Sequence, residues 1–218
     1  MENRYGYNRI QQWFHTLGTA VAAKLIVEQL TGRSDPSIYI AGLLSNIGRS
    51  ILDTFFTDEF TQALRISFEE ELPIRLAEKR IFGVSSETVG YWAVCSWELS
   101  ETLAETLNDH YGTFTVGNAW VIGLAGLLAE ALGMGSCGVR FFSPFKPGIL
   151  AKNGVNKNNL EGLIEMLDES FQDIRGVYGY DALMAAVSQY TAPNAVAPPE
   201  PPAVVPPQAT SPAQTGVS

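Results

Sequence analysis

Apolar residues recur along this chain at intervals of three and four, and no segment alternates apolar and polar residues with the period of a strand. A chain patterned this way can bury its apolar faces only by packing helix on helix. The first stripe, Ile10, Trp13, Phe14, Leu17, Val21 and Leu25, predicts a helix from about Asn8 to Leu30 with Gly32 as its C-cap. Ser34 or Asp35 can cap the next helix, with Pro36 in its first turn, where a missing N–H costs no bond. The spacing carries that helix through Ile40, Leu43, Leu44, Ile47, Ile51 and Phe55, all expected to face inward. Thr57 and Asp58 start a shorter helix, and Pro73 opens another that ends near Phe82-Gly83. Ser85 and Ser86 read as an N-cap pair, and Ser100 starts a helix ending near Tyr111-Gly112. Asn118 precedes the apolar helix Val121 to Leu132, which Gly133 closes; a loop covers Gly135 to Gly148, and helices follow around Asn158–Phe171 and Asp181–Tyr190. The expectation is one all-α domain over residues 8–190.

From Ala192 the composition changes, and eight of the 12 prolines lie between Pro193 and Pro212. A segment of Pro, Ala, Val, Gln, Ser and Thr cannot bury a core, so residues 191–218 are expected to be a disordered, polyproline-like tail. Its PxxP spacing fits a spacer better than a dedicated ligand.

With 218 residues the chain is long enough for one sizeable core. A net charge of -9 argues against nucleic acid as a partner, since phosphate contacts need clustered Lys and Arg. No basic run marks an anionic membrane surface, and the apolar run Ala119–Ala129 stops at Glu130, short of the ~20 residues a span needs. The N-terminus lacks the apolar centre of a signal peptide. These features point to a cytoplasmic protein. Cys95 and Cys137 lie far apart without a CxxC partner, so both are expected to be buried, reduced thiols.

Residues 40–48, Ile-Ala-Gly-Leu-Leu-Ser-Asn-Ile-Gly, closely resemble the Gly-Leu-Leu-His-Asp-Ile-Gly signature of the HD phosphohydrolase superfamily. In that signature a His-Asp pair holds the catalytic metal; Ser45 and Asn46 stand in its place. Other motifs follow in family order. Trp13-Phe14-His15-Thr16 looks like the first ligand helix. Phe82 to Gly90 resembles a Gly-Val-x-His-x-x-Val-Gly segment with Ser86 at the His position. Trp97 to Glu101 resembles a Trp-x-Leu-Pro-Glu turn with Ser100 for Pro. Asn108-Asp109-His110-Tyr111 resembles the end of a helix that usually carries two His; here Asp109 precedes the single His110. Val121 to Gly126 looks like a helix that normally ends in Ala-Asp, with Gly126 at the Asp position.

The motif order, together with Ala131 to Gly135, most resembles the HDOD subgroup over roughly residues 8–175. The resemblance implies an HD-domain-like helical bundle and a bacterial signalling module. HDOD modules usually carry a further N-terminal helical lobe, so a truncated or split module is expected.

A hydrolytic HD site gathers His, His-Asp and Asp on one divalent ion, which lowers the pKa of bound water. Of those positions only His15 is retained. Ser, Asn and Gly offer an ion little, and one imidazole does not hold it, so the expectation is no catalytic residue, no metal and no cofactor. His15 is then expected to hydrogen-bond Ser45, Asn46 or a carbonyl, and His110 to sit at a solvated helix end.

A Ser45–His15 nucleophile lacks a Gly-x-Ser-x-Gly elbow. Glu69-Glu70-Glu71 reads as a solvated turn, and Gly133-Met134-Gly135 lacks the Lys of a phosphate loop. Trp13, Trp92, Trp97 and Trp120 are expected in the core, while Phe141, Phe142 and Phe145 form a candidate contact patch. The leading expectation is a non-catalytic signalling module acting through a protein partner. The alternatives are a residual phosphohydrolase acting on nucleotides or cyclic dinucleotides, and a fragment that needs a separately encoded lobe. A face left by a missing lobe could equally form a homodimer.

Overall fold

Asn8 starts the first helix by accepting the backbone N–H groups of Ile10 and Gln11 at 2.8 and 3.1 Å, which satisfies two donors that a helix start leaves open. This helix, α1 (Arg9–Thr31), ends at Gly32 in the left-handed conformation. The structure, a computed structural model, describes residues 7–110, 118–138 and 148–190, without the side chains at 109 and 187–190. The described residues form helices and no strand, as the periodicity predicts.

Along the chain follow α2 (Pro36–Leu44), α3 (Ile47–Phe55), α4 (Thr57–Glu69), α5 (Ile74–Phe82), α6 (Ser86–Ser96), α7 (Glu101–Asp109), α8 (Ala119–Ala131), the single turn α9 (Ile149–Lys152), α10 (Lys157–Tyr178) and α11 (Tyr180–Tyr190). By its contacts the chain divides into residues Met1–Asp181, which hold α1 to α10, and Ala182–Ser218, described only as far as α11 reaches.

In the first unit α1 is the central element, packed on α8, α2 and α10. Its buried side carries Phe14, Gly18, Ala22, Ala23 and Ile26, mostly small residues that let neighbouring helices come close. Around it lies the larger core, with Leu107, Ile122, Leu167 and Phe171. A second core joins Tyr7, Leu52, Phe60, Leu64, Ile74 and Cys137. The turn after α8 feeds both, Met134 entering the first and Cys137 the second.

The expected single helix from Pro36 to Phe55 is in fact two. The chain breaks at Ser45-Asn46, where Asn46 takes φ -107° and ψ 12° outside the helical region. The break resets the phase, so α3 turns Gly48, Arg49, Leu52 and Asp53 inward, and Ile40, Leu43 and Phe55 are exposed. Trp120 is buried as expected, but Trp13, Trp92 and Trp97 are half exposed. Trp13 packs edge-on against Phe14 and Tyr178 at the rim. Cys137 is buried and Cys95 is exposed, both as free thiols. Glu69 to Glu71 form the exposed turn expected. The Pro-rich tail, Tyr111-Gly112 and the Phe141–Phe145 patch lie outside the described residues. Among the described residues no helix is long and apolar enough to cross a membrane.

The crossing of α3 on α6 depends on Gly48. A Cβ there would stand 1.9 Å from the Ser86 carbonyl oxygen and 2.6 Å from the Gly90 nitrogen, both backbone atoms that cannot step aside alone. Gly48→Ala is therefore expected to lower stability by roughly 1–3 kcal/mol. Urea unfolding measures this, and a midpoint equal to the parent's would contradict the close crossing.

Candidate functional site

The Ser45-Asn46 break brings a row of polar side chains into the interior. Arg49, one turn into α3, is 2% exposed. Its Nη1 donates to Asn46 Oδ1 at 3.1 Å and to the Cys137 carbonyl at 3.2 Å. Its Nε lies 3.8 Å from Oε1 of Glu78 on α5, itself fully buried. The other Glu78 oxygen accepts both the backbone N–H and the hydroxyl of Ser86, at 2.8 and 2.9 Å. A carboxylate from another helix therefore caps α6, where the sequence predicts capping by the serines themselves.

Asn46 is used fully by its neighbours. Its Nδ2 donates to Ser45 Oγ at 3.3 Å and to Thr16 Oγ1 at 3.5 Å, while Gln12 Nε2 donates to its backbone carbonyl at 3.2 Å. Ser45 Oγ donates back to the Gly42 carbonyl at 2.7 Å. The expected bond from His15 to Ser45, Asn46 or a carbonyl is absent among the described residues, because these groups satisfy one another and the ring faces elsewhere.

His15 is completely buried on α1, and its Nδ1 lies 3.4 Å from Glu130 Oε2 on α8. Burial pushes the imidazole pKa down to about 4, against a smaller upward pull from Glu130, and Arg49 lowers it further. The ring is thus neutral at pH 7, and the contact with Glu130 is not an ion pair. Burial also raises the Glu130 carboxyl above its usual range, with Cys137 adding to the effect. Ser136 Oγ donates to Glu130 Oε1 at 2.7 Å and fixes the carboxylate plane.

The remaining sequence candidates separate. Gly126 is buried in α8, one helical turn before Glu130. Ser86 is buried at the start of α6 with Glu78. Asp109 closes α7, and its side chain lies outside the described residues. His110 is not solvated: it is 1% exposed, and its Nδ1 lies 2.6 Å from the Leu107 carbonyl one turn back. The expectation failed because the end of α7 is covered by the core, which Leu107 joins.

The sequence reading missed Arg49, Glu78, Glu130 and Cys137. Glu130 had a signal, as a lone carboxylate ending an apolar helix four residues after Gly126. Cys137 had none, since only the turn after α8 brings it to His15. That turn is pinned by Gly135, at φ 76°, where a Cβ would meet the Gln11 carbonyl oxygen at 2.2 Å, and by the Ser136 N–H donating to the same oxygen at 3.2 Å.

Beside Asn46 a cleft of about 320 Å³ opens to the surface, lined by Tyr7, Arg9, Gln12, Trp13, Leu43 and Asp53 among others. Arg9 bridges it through an ion pair with Asp53.

A helical domain with a polar break at Ser45-Asn46 and a buried His15 on the first helix keeps the positions that the motifs marked. The HDOD domain profile matches residues 1–113, just over half of the 218-residue chain, and the chain belongs to the HDOD domain family. Among solved structures it is similar to an HDOD domain protein of unknown function from Geobacter sulfurreducens, with 28% identity, a TM-score of 0.61, and 78% of this chain and 61% of that one covered. It also shares its fold with the MmoQ response regulator from Methylococcus capsulatus strain Bath, at 20% identity and TM-score 0.55, covering 72% of this chain and 61% of that one. The chain thus spans about three-fifths of these relatives. A comparison with curated proteins gave no significant match.

The metal set that the HD superfamily implies does not fit the residues at Ser45, Asn46 and Gly126. Two neutral side chains already committed to other partners and one glycine supply no charged donor.

Two outcomes follow from the Arg49 cluster. Arg49→Leu leaves the Glu78 carboxylate buried without its cation, so a loss of about 3–5 kcal/mol is expected in denaturant unfolding. Glu87, also buried, has its carboxyl pKa raised by desolvation and by Glu78, against Arg75, the Ser85 hydroxyl and Arg49. A raised folded pKa favours the protonated form, so its contribution is full below the ordinary carboxyl pKa and is lost as pH rises through the folded value. Glu87→Gln should therefore gain stability relative to the parent as pH rises from 4 towards 7; parallel pH profiles for the two proteins would contradict this.

Proposed function

We propose that this protein is a non-catalytic HDOD signalling module that acts by binding a protein partner in a bacterial regulatory pathway. The observation that carries the reading is the Arg49 guanidinium on Asn46 Oδ1. In an HD enzyme this position offers a carboxylate to a divalent ion. Here it offers a neutral amide that is already taken by a permanent cation, so a metal-bound hydroxide has neither its ligands nor a favourable field at this point. Family membership and the response-regulator relative support a signalling role.

Contact with a partner is supported by the exposed aromatic and aliphatic side chains. Trp13 and Leu43 stand at the cleft beside Asn46, 49% and 38% exposed. Aromatic residues set at the edge of a polar cleft are the usual anchors of a protein interface. The net charge of -9 favours a partner with a basic or mixed surface over nucleic acid.

Phosphodiester hydrolysis tests the proposal. The purified chain with Mn, Fe or Zn is expected to cleave bis(p-nitrophenyl) phosphate, nucleotides and cyclic dinucleotides no faster than metal alone. Metal-dependent turnover that disappears in His15→Ala would overturn the reading. In cells, a cross-linked partner should fall about tenfold or more with Trp13→Glu plus Leu43→Glu, while the helical circular dichroism is unchanged. Equal recovery with this variant would place the interface elsewhere and remove the cleft from the proposal.

A further inference from the structure

Three metal-binding side chains of different kinds meet where α1, α8 and the following turn join. Nδ1 or Nε2 of His15, a carboxylate oxygen of Glu130 and Sγ of Cys137 all lie within 4.8 Å of one another. The His15 Nδ1 to Glu130 Oε2 distance of 3.4 Å is close to the edge of a tetrahedron with bonds of about 2.0–2.1 Å. From these donors we infer that His15, Glu130 and Cys137 bind one zinc-class ion, at a site displaced from the family's metal position along α8.

The case rests first on unmet bonding capacity. Both ring nitrogens of His15 and Oε2 of Glu130 are buried and have no hydrogen-bond partner among the described residues. Leaving such groups empty is costly, and native interiors avoid it unless a water or an ion fills the gap.

The surroundings hold the donors in place. Ser136 Oγ grips Glu130 Oε1 and leaves Oε2 towards His15. The Cys137 carbonyl accepts from Arg49, and the Ser136 N–H donates to the Gln11 carbonyl, so the turn that carries the thiol is fastened to α3 and to α1. The Arg49 charge is matched by Glu78 and meets the turn through a carbonyl oxygen.

The donor set also selects the ion. Imidazole, carboxylate and thiolate together suit Zn²⁺ and its spectroscopic substitute Co²⁺, while Mg²⁺ and Ca²⁺ prefer all-oxygen sites. On binding, the Cys137 thiol gives its proton to solvent, and thiolate and carboxylate balance the two positive charges. None of the three residues lines the cleft beside Asn46. The ion therefore acts as a staple between α1 and the turn after α8, away from the surface where a substrate would enter.

The full chain, stripped with a chelator and titrated with Co²⁺, tests this. One equivalent is expected, with the visible bands of a tetrahedral site and the near-ultraviolet sulfur-to-cobalt band of a bound thiolate. Zn²⁺ should displace it and raise the melting temperature, whereas Mg²⁺ should do neither. Cys137→Ser should lose the sulfur band and weaken binding by at least about tenfold, Glu130→Gln should weaken binding similarly, and Cys95→Ser should match the parent. Uptake below about a tenth of an equivalent, or a sulfur band that survives Cys137→Ser, would overturn the inference. Absence of metal leaves the signalling proposal standing. Metal bound at this site without turnover agrees with both, so the two readings fail on different results.

Discussion

The ion pair of Arg49 and Glu78 fixes how the helices of this domain meet. A guanidinium cannot give up its proton, so once α3 turns Arg49 inward its charge must be matched there. At 3.8 Å the attraction is roughly 4 kcal/mol with an effective dielectric constant of about 20, comparable to the several kcal/mol of desolvation that each ion costs. The pair therefore adds little net stability and a great deal of positional demand. Arg49 must reach Asn46, the turn at Cys137 and Glu78 at once, and Glu78 must also cap α6 through Ser86. Four separate parts of the chain are brought into register by groups that tolerate no other arrangement.

Close packing supplies the second constraint. Where Gly48 crosses α6, backbone touches backbone, and where Gly135 turns under α1, the chain comes within reach of the Gln11 carbonyl. These approaches set the depth at which polar groups sit. His15 is fully buried because the turn closes over it, with Met134 filling the space beside Gly18. Burial at that depth keeps the imidazole neutral and turns an ordinary histidine into an unprotonated donor. The electrostatics of the site follow from the packing.

Much of this was legible in the sequence, for identifiable reasons. The extent of α1, with Asn8 and Gly32 at its ends, followed from a long apolar stripe between two good capping residues, both local signals. The family frame was legible because the motifs around His15, Ser45-Asn46 and Ser86 stand in the family's order. The break at Asn46 was not legible, since Ile47, Ile51 and Phe55 continue the apolar spacing and only tertiary contacts decide which face turns inward. The half-exposed tryptophans misled for the same reason: periodicity marks one face as apolar but cannot say how deeply it is buried. Glu78, Cys137 and the burial of His110 depend on contacts between segments far apart in the chain, which no local pattern carries.

Gly126 and Glu130 share a face of α8. Residues four apart on a helix lie one above the other, here displaced by a single turn of about 5–6 Å. That displacement carries the acidic group away from Asn46 and Arg49 and towards the turn that bears Cys137. There Arg49 meets the turn through the Cys137 carbonyl and is paired with Glu78, while its charge still acts on His15. Arg49 is committed to Asn46, while Glu130 and Cys137 come together beside His15 one turn further along α8.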